Sequence, residues 1–238
     1  EYDEAGFVAI EGVLSDAECD QFVDHMVQLA DGSKELEGFS PRKVGERGRT
    51  HNQHSYDPLA RQYLVLPQLR GPLRDCFDGD EAEGIQTMYF WEGSEQGRHQ
   101  DQYYLPACIS AWLAFMDIDE ANGTIYVQAG SHKKRLLTKA DFEAGGQFEG
   151  QDYNAAVDEL AKHNDLPEVP VRVSKGSVVF FDGRLVHYGG PIVESGSARH
   201  VLANHYIPNS FDDWPHRSWT RHAFDGGVRQ HPSLDAES

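Results

Sequence analysis

The chain has 238 residues and a formal net charge of −18. So acidic a chain argues against nucleic-acid binding, which needs a basic face, and against docking on anionic membranes. With 39% hydrophobic and 11% aromatic residues and no apolar run long enough to span a bilayer, one core in a single domain over 1–238 is expected.

Phe7 to Val13 reads as a short strand. Ser15-Asp16-Ala17-Glu18 is a capping box, and Phe22, Val23, Met26, Val27 and Ala30 then recur at helical spacing. That helix is expected to pack on the outside of a sheet, with His25 in a structural role. Gly32 to Tyr56 is long, polar and glycine-containing, and reads as an active-site loop or lid. Asp57-Pro58 opens a second helix, with aspartate as N-cap and proline in the first turn. Strands are expected at 84–91, 108–118, 123–128, 170–173, 177–182 and 198–207. Thr138 to Asn164 carries helical pieces broken by Gly145-Gly146, read as an insertion beside a pocket mouth. The chain from about Asp225 reads as a polar, mobile tail. Many short strands and few helices point to a mainly β fold, a double-stranded β-helix (jelly-roll, cupin-like barrel) with flanking α-helices.

His99-Gln100-Asp101 carries the most chemistry. On an extended segment, residues i and i+2 point to one face, so His99 and Asp101 can share a metal. A second histidine, His187, lies downstream after the strand-like run 176–182, and would complete a 2-His-1-carboxylate face, the signature of non-haem Fe(II) oxygenases. Arg199 follows by twelve residues and can clamp a carboxylate with its planar guanidinium. No serine sits in a nucleophile-elbow setting, so a hydrolase triad with His187 and Asp182 is not expected.

The order Arg98-His99-Gln100-Asp101-Gln102-Tyr103-Tyr104, Ala111-Trp112, Ala121-Asn122-Gly123-Thr124, Ala129-Gly130-Ser131-His132-Lys133, His187, Arg199 and His205-Tyr206-Ile207-Pro208 resembles the phytanoyl-CoA dioxygenase family of Fe(II)/2-oxoglutarate oxygenases, from about Phe7 to Pro208. The resemblance implies that His99, Asp101 and His187 bind iron, that Arg199 holds the C5 carboxylate of 2-oxoglutarate, and that Trp112 lines the same pocket. Lys43 and Met88 match positions that contact the co-substrate, and Gln100 is counted with them. Gly189 stands where some members carry a hydroxyl, which removes one hydrogen bond to the co-substrate. The implied reaction consumes O2 and 2-oxoglutarate, releases succinate and CO2, and hydroxylates a small-molecule substrate. Desaturation, cyclisation or epimerisation would use the same ligands, whereas Asp101 fills the place that halogenases leave open. The alternative of another class is a non-catalytic, cupin-like binding or regulatory protein.

Arg42, Lys43, Arg47, Arg49 and Arg61 face only Glu46 and Asp57 between Pro41 and Arg61. This basic island suggests that Arg42, Arg47 and Arg49 select a carboxylate, phosphate or phosphonate, with Tyr103 and Tyr104 as further substrate contacts. His205 reads as a satisfied core histidine. Trp214, His216, Arg217, Trp219, Arg221 and His222 form an aromatic-basic cluster that packs over the barrel mouth or makes a dimer contact. Cys19, Cys76 and Cys108 have no zinc or disulfide spacing, and Glu1-Tyr2-Asp3-Glu4 has no signal-peptide character. A cytoplasmic monomer or homodimer is expected.

Overall fold

A computed structural model describes residues 1–43, 48–91, 96–194, 197–216 and 218–230. After a single turn of helix at Tyr2–Ala5 (α1), strand β1 runs from Phe7–Ile10 and helix α2 from Asp16–Asp31. The capping box closes as its sequence requires. Ser15 Oγ accepts from Glu18 N while the Glu18 carboxylate accepts from Ser15 N. Gly32 ends the helix at φ 81°, a left-handed conformation that glycine adopts without steric cost. After β2 (Arg49–His51), Asp57 caps α3 (Pro58–Leu64) by accepting from Leu59 N. Its other oxygen meets His25 Nε2 at 2.7 Å, so His25 is structural, tying α2 to α3. Pro67 then starts α4 (Pro67–Cys76), because the residue before a proline is disfavoured in helix.

The remaining strands are β3 (Ala82–Phe90), β4 (Ile109–Ala114), β5 (Ile125–Gln128), β6 (Glu168–Pro170), β7 (Val178–Asp182), β8 (His187–Gly189), β9 (Val201–Pro208), β10 (Arg221–Ala223) and β11 (Val228–Arg229), with helix α5 (Tyr153–Asn164) ahead of β6. They form two antiparallel sheets. The larger has the order β1-β7-β4-β9-β3-β10-β11, with β2 also on β3, and the smaller β6-β5-β8. The period of two along each strand divides the large sheet into two faces. Ala111, Leu113, Val178, Phe180, Leu202 and Tyr206 face α2, α3 and α4. Phe22 of α2 anchors this layer, 4.7 Å from the Phe115 ring and 4.6 Å from Tyr63. Burying a side chain of that size is worth about 1.5–3 kcal/mol. Trp112, Ala114, Val179, Phe181, Val201 and Ala203 face inward and meet Ile125 and Val127 of the smaller sheet. Because both faces are covered, β4 is buried along its whole length and shows no hydrophobic-polar alternation. The result is a jelly-roll barrel with helices against one sheet.

The expected strands are present with shifted ends: β3 begins two residues earlier than expected, and β6 overlaps the run expected at 170–173 only at Pro170. The run expected at 108–118 stops at Ala114 and resumes as a bridge from Ile118 to Val173. The segment from Asp225 is not wholly a free tail, since β11 pairs with β10 and Arg229 bonds Glu83. No helix among the described residues is long and apolar enough to cross a membrane.

Candidate active site

His99 and His187 face each other across the edge of the small sheet. His99 N donates to His187 O at 3.0 Å and His187 N to His99 O at 3.1 Å. Their rings lie 4.1 Å apart. Gln100 is extended (φ −124°, ψ 122°), which returns Asp101 to the face of His99. Asp101 Oδ1 stands 3.5 Å from His99 Nε2 and 3.7 Å from His187 Nε2. One donor atom from each of the three residues falls within 4.8 Å of the others, and all three residues are buried.

The proton arrangement suits a cation. His99 Nδ1 donates to Gly97 O at 2.8 Å and His187 Nδ1 to Leu185 O at 3.0 Å, so both Nε2 lone pairs point at the shared centre. Burial, and secondly His99, push His187 down to about 4, leaving it neutral at pH 7. Burial alone would raise the Asp101 carboxyl. His187, His205 and His99 outweigh it and hold the group well below the usual carboxylate range. Ser110 Oγ donates to Asp101 Oδ2 at 2.7 Å, and His205 Nε2 lies 3.4 Å from the same oxygen, so Oδ1 is the atom turned toward the histidines. Two imidazoles and one carboxylate are a donor set for a divalent first-row metal.

Beside this centre lies an inner cavity. Trp112, Phe181 and Ile125 make its apolar walls, Met88 and Gly189 its sides, and Arg199 its far end. Arg199 precedes β9 and shares the parity of Val201, Ala203 and His205, which aims it inward. Its guanidinium donates to Gly123 O and lies over the Phe90 ring at 5.0 Å. Burial, with Arg49 second, pulls it down to about 10, so it stays charged at neutral pH. A cation held in an apolar pocket is arranged to receive an anion.

An outer chamber of about 370 Å³ shares Met88, Gln96, His99, Asp101 and His205 with the inner one and adds Arg49, His51, Tyr104, Lys139, His216 and Trp219. Gln96 links the two. Its Nε2 donates to His99 Nε2 at 3.0 Å, a bond that a metal on that nitrogen would displace, and its Oε1 accepts from Arg49 Nη1 at 2.8 Å.

Several sequence expectations need correction. Gln100 does not face the cavity. Its side chain points to the opposite face, donating to Arg135 O and Arg184 O and accepting from Leu137 N. Lys43 is exposed and lines neither chamber. Arg42 is turned to the Arg49 carbonyl at 2.9 Å, so of the basic island Arg49 reaches the site, while Arg47 lies outside the described residues. Tyr104 lines the chamber, but Tyr103 stacks on Tyr153 at 4.0 Å and lines neither. His205 is no isolated core histidine, since it lines both chambers beside Asp101. From the C-terminal cluster, His216 and Trp219 do pack at the mouth, whereas Arg221 is buried in an ion pair with Glu83. Arg217 lies outside the described residues. Gln96 and Ser110 carried no sequence signal. Ser110 is recognisable only once β4 and β9 pair, which sets it opposite His205.

The sequence profile of the phytanoyl-CoA dioxygenase (PhyH) family matches residues 2–201. Phytanoyl-CoA dioxygenase 1 of Oryza sativa subsp. japonica is 27% identical over 198 residues, covering 78% of this chain and 64% of the rice protein. The peroxisomal phytanoyl-CoA dioxygenase of Rattus norvegicus is 27% identical over 236 residues, covering 86% of this chain and 66% of the rat protein. The chain thus spans about two thirds of the length of these curated relatives. Among solved structures, the non-heme alpha ketoglutarate dependent carbocyclase SnoK from nogalamycin biosynthesis superposes with a TM-score of 0.66 at 20% identity, over 99% of this chain and 86% of that one. EctD from S. alaskensis, solved with 2-oxoglutarate and 5-hydroxyectoine, gives 0.68 at 19% identity, over 88% and 74%. At these identities the likeness is one of fold.

Proposed function

The chain belongs to the phytanoyl-CoA dioxygenase family, and on that premise we propose that it is an Fe(II)- and 2-oxoglutarate-dependent dioxygenase. It hydroxylates an aliphatic C–H of a small polar, anionic metabolite, using O2 and releasing succinate and CO2. One observation carries the reading: a single barrel interior holds the facial set His99, Asp101 and His187 and, at its far end, the buried guanidinium of Arg199. A cupin-like binding module has no use for both.

Iron and 2-oxoglutarate supply the oxidising chemistry when bound. The protein's part is orientation and exclusion. His99 and His187 would hold the metal through Nε2 and Asp101 through Oδ1. Arg199 would receive a carboxylate of 2-oxoglutarate, in a cavity whose walls Trp112 and Phe181 make apolar. Met88 lines both chambers. Arg49 gives the outer chamber its affinity for an anion. The three free cysteines suit a reducing, cytoplasmic compartment.

The test is an anaerobic calorimetric titration of Fe(II), then of 2-oxoglutarate, followed by succinate measurement in air. One metal per chain, 2-oxoglutarate binding that depends on it, and loss of both in His99→Ala and His187→Ala are expected. Metal affinity unchanged from the parent chain in both variants would refute the assignment.

A further inference from the structure

Resting on the reading above, we propose that the outer chamber selects a substrate joining an oxyanion, most simply a carboxylate, to a flat apolar body. Trp214, His216 and Trp219, near the C-terminal end, supply the flat wall.

The charge pattern points to the oxyanion. Arg49 and Lys139 line the chamber, and among the described residues Asp101, committed to the metal centre, is the one acid in its lining. That is a local inversion in a chain of net charge −18. Arg49 is also pre-positioned. One of its amino groups is fixed on Gln96, and the guanidinium lies 5.8 Å from the Phe90 ring, so its other N–H groups are held in a defined direction.

The aromatic pattern points to the flat body. His216 and Trp219 both line the chamber and stack on each other at 4.8 Å with an angle of 24°. Trp214, fully buried, packs edge-on against both, at 4.9 Å and 6.0 Å. His216 Nε2 donates to Tyr104 O at 2.9 Å, which fastens the segment beside the metal-binding loop. The segment's far end is held by the buried ion pair of Arg221 with Glu83. Rings locked in this way bind a flat ligand with little further loss of freedom. The wall lies beyond residue 201, where the match to the family profile ends. The chamber's volume, about 370 Å³, falls within the range of small-molecule sites.

The probes are 1-naphthylacetate (flat, anionic), 2-(1-naphthyl)ethanol (flat, neutral), cyclohexylacetate (anionic, not flat) and acetate. Each is titrated calorimetrically into the whole chain, anaerobically, with and without Fe(II) and 2-oxoglutarate. 1-Naphthylacetate is expected to bind best, with the neutral and the non-flat analogues each weaker by about tenfold. Arg49→Gln should erase the preference for the anion. Trp219→Leu, which keeps apolar bulk, and His216→Ala should weaken 1-naphthylacetate about fivefold while leaving cyclohexylacetate within twofold. Equal binding of the neutral probe would overturn the cationic selection. Equal binding of cyclohexylacetate, or unchanged affinity in both C-terminal variants, would overturn the flat wall. No binding of any anionic probe at millimolar concentration would overturn the proposal as a whole. Failure of the iron and 2-oxoglutarate reading registers separately, as absence of heat from those two ligands.

Discussion

Ser110→Ala removes one oxygen atom that touches neither the proposed metal nor its co-substrate, yet it should loosen the metal centre. Ser110 is fully buried on β4, and its hydroxyl donates to Asp101 Oδ2 at 2.7 Å. The other neighbour of that oxygen, His205 Nε2, is at 3.4 Å, so the serine makes the shorter contact. A hydrogen bond to an ionised group is worth about 1.5–3 kcal/mol, and its loss leaves a buried carboxylate short of a donor. Two consequences follow. The metal-free protein should lose a similar free energy, which for a chain of this length lowers Tm by roughly 3–12 °C. The carboxylate should also rotate more freely, so that Oδ1 no longer faces the histidines by default. Outer partners of metal ligands commonly carry about 10–100-fold in metal affinity, or roughly 1.4–2.7 kcal/mol. Calorimetric titration with Fe(II) under argon, or with Co(II) in air, measures the second effect, and a thermal melt in chelator measures the first. Metal affinity within twofold of the parent chain would refute the claim that Ser110 orients Asp101. A lowered Tm alone would leave it as a packing residue.

Arg199→Met should weaken 2-oxoglutarate by about 2–5 kcal/mol while leaving metal affinity nearly unchanged, because a charge-assisted contact to the co-substrate is lost and the metal ligands are untouched; unchanged 2-oxoglutarate binding in a titration would show that another cation is the clamp. Gln100→Ala should cost about 2–4 kcal/mol of stability in urea unfolding, since three backbone partners lose their bonds, without raising the KM for 2-oxoglutarate; a raised KM would restore it to the co-substrate site. Acidification should destabilise the metal-free protein. Burial, then His222 and Arg61, push His54 down to about 3, whereas unfolded it titrates near 6.5. Between those values the unfolded chain binds the extra proton, so stability falls as pH drops, by about 1.4 kcal/mol per pH unit from this residue. His187 adds the same down to about 4. His54→Gln should reduce the slope of stability between pH 6 and 4.5, and an unchanged slope in urea titrations would remove His54 from the account.

The legible part of the site was the part governed by strand parity. His99 and Asp101 share a face because one residue separates them, and Arg199 shares the inward face of Val201 and Ala203 for the same reason. Applied consistently, that rule also excludes Gln100, the residue between two inward-facing neighbours. Its assignment to the co-substrate came from the resemblance, not from the alternation. Lys43 and Arg42 lie in the long segment before β2, where no periodicity ties side-chain direction to sequence, and charge alone did not separate them from Arg49. Arg49 reaches the chamber because β2 pairs with β3 and sets it opposite Phe90. Strand β8 is three residues long, too short for a hydrophobic pattern, and exists because β5 pairs along it. His205 and Ser110 gain meaning only from the β4–β9 register, which is tertiary information. The fold class was readable because many short apolar runs leave few alternatives, but strand ends were not, since β4 and its neighbours are covered on both faces.

Strand β1 near the start of the chain pairs with β7, Phe7 opposite Phe181, so the barrel wall closes between segments far apart in sequence. The bridge from His99 to His187 is likewise non-local. Such contacts form only after a large loop-closure entropy has been overcome, which makes this a slow-folding topology. The metal-binding face therefore assembles late, after the helix layer and the local hairpins. A ligand that needs the finished face cannot hasten the climb to the folding barrier, but it does deepen the native well behind it. The expected kinetic signature of metal is an unchanged refolding rate with slower unfolding, so that the bound ion acts as a latch on a barrel already shut.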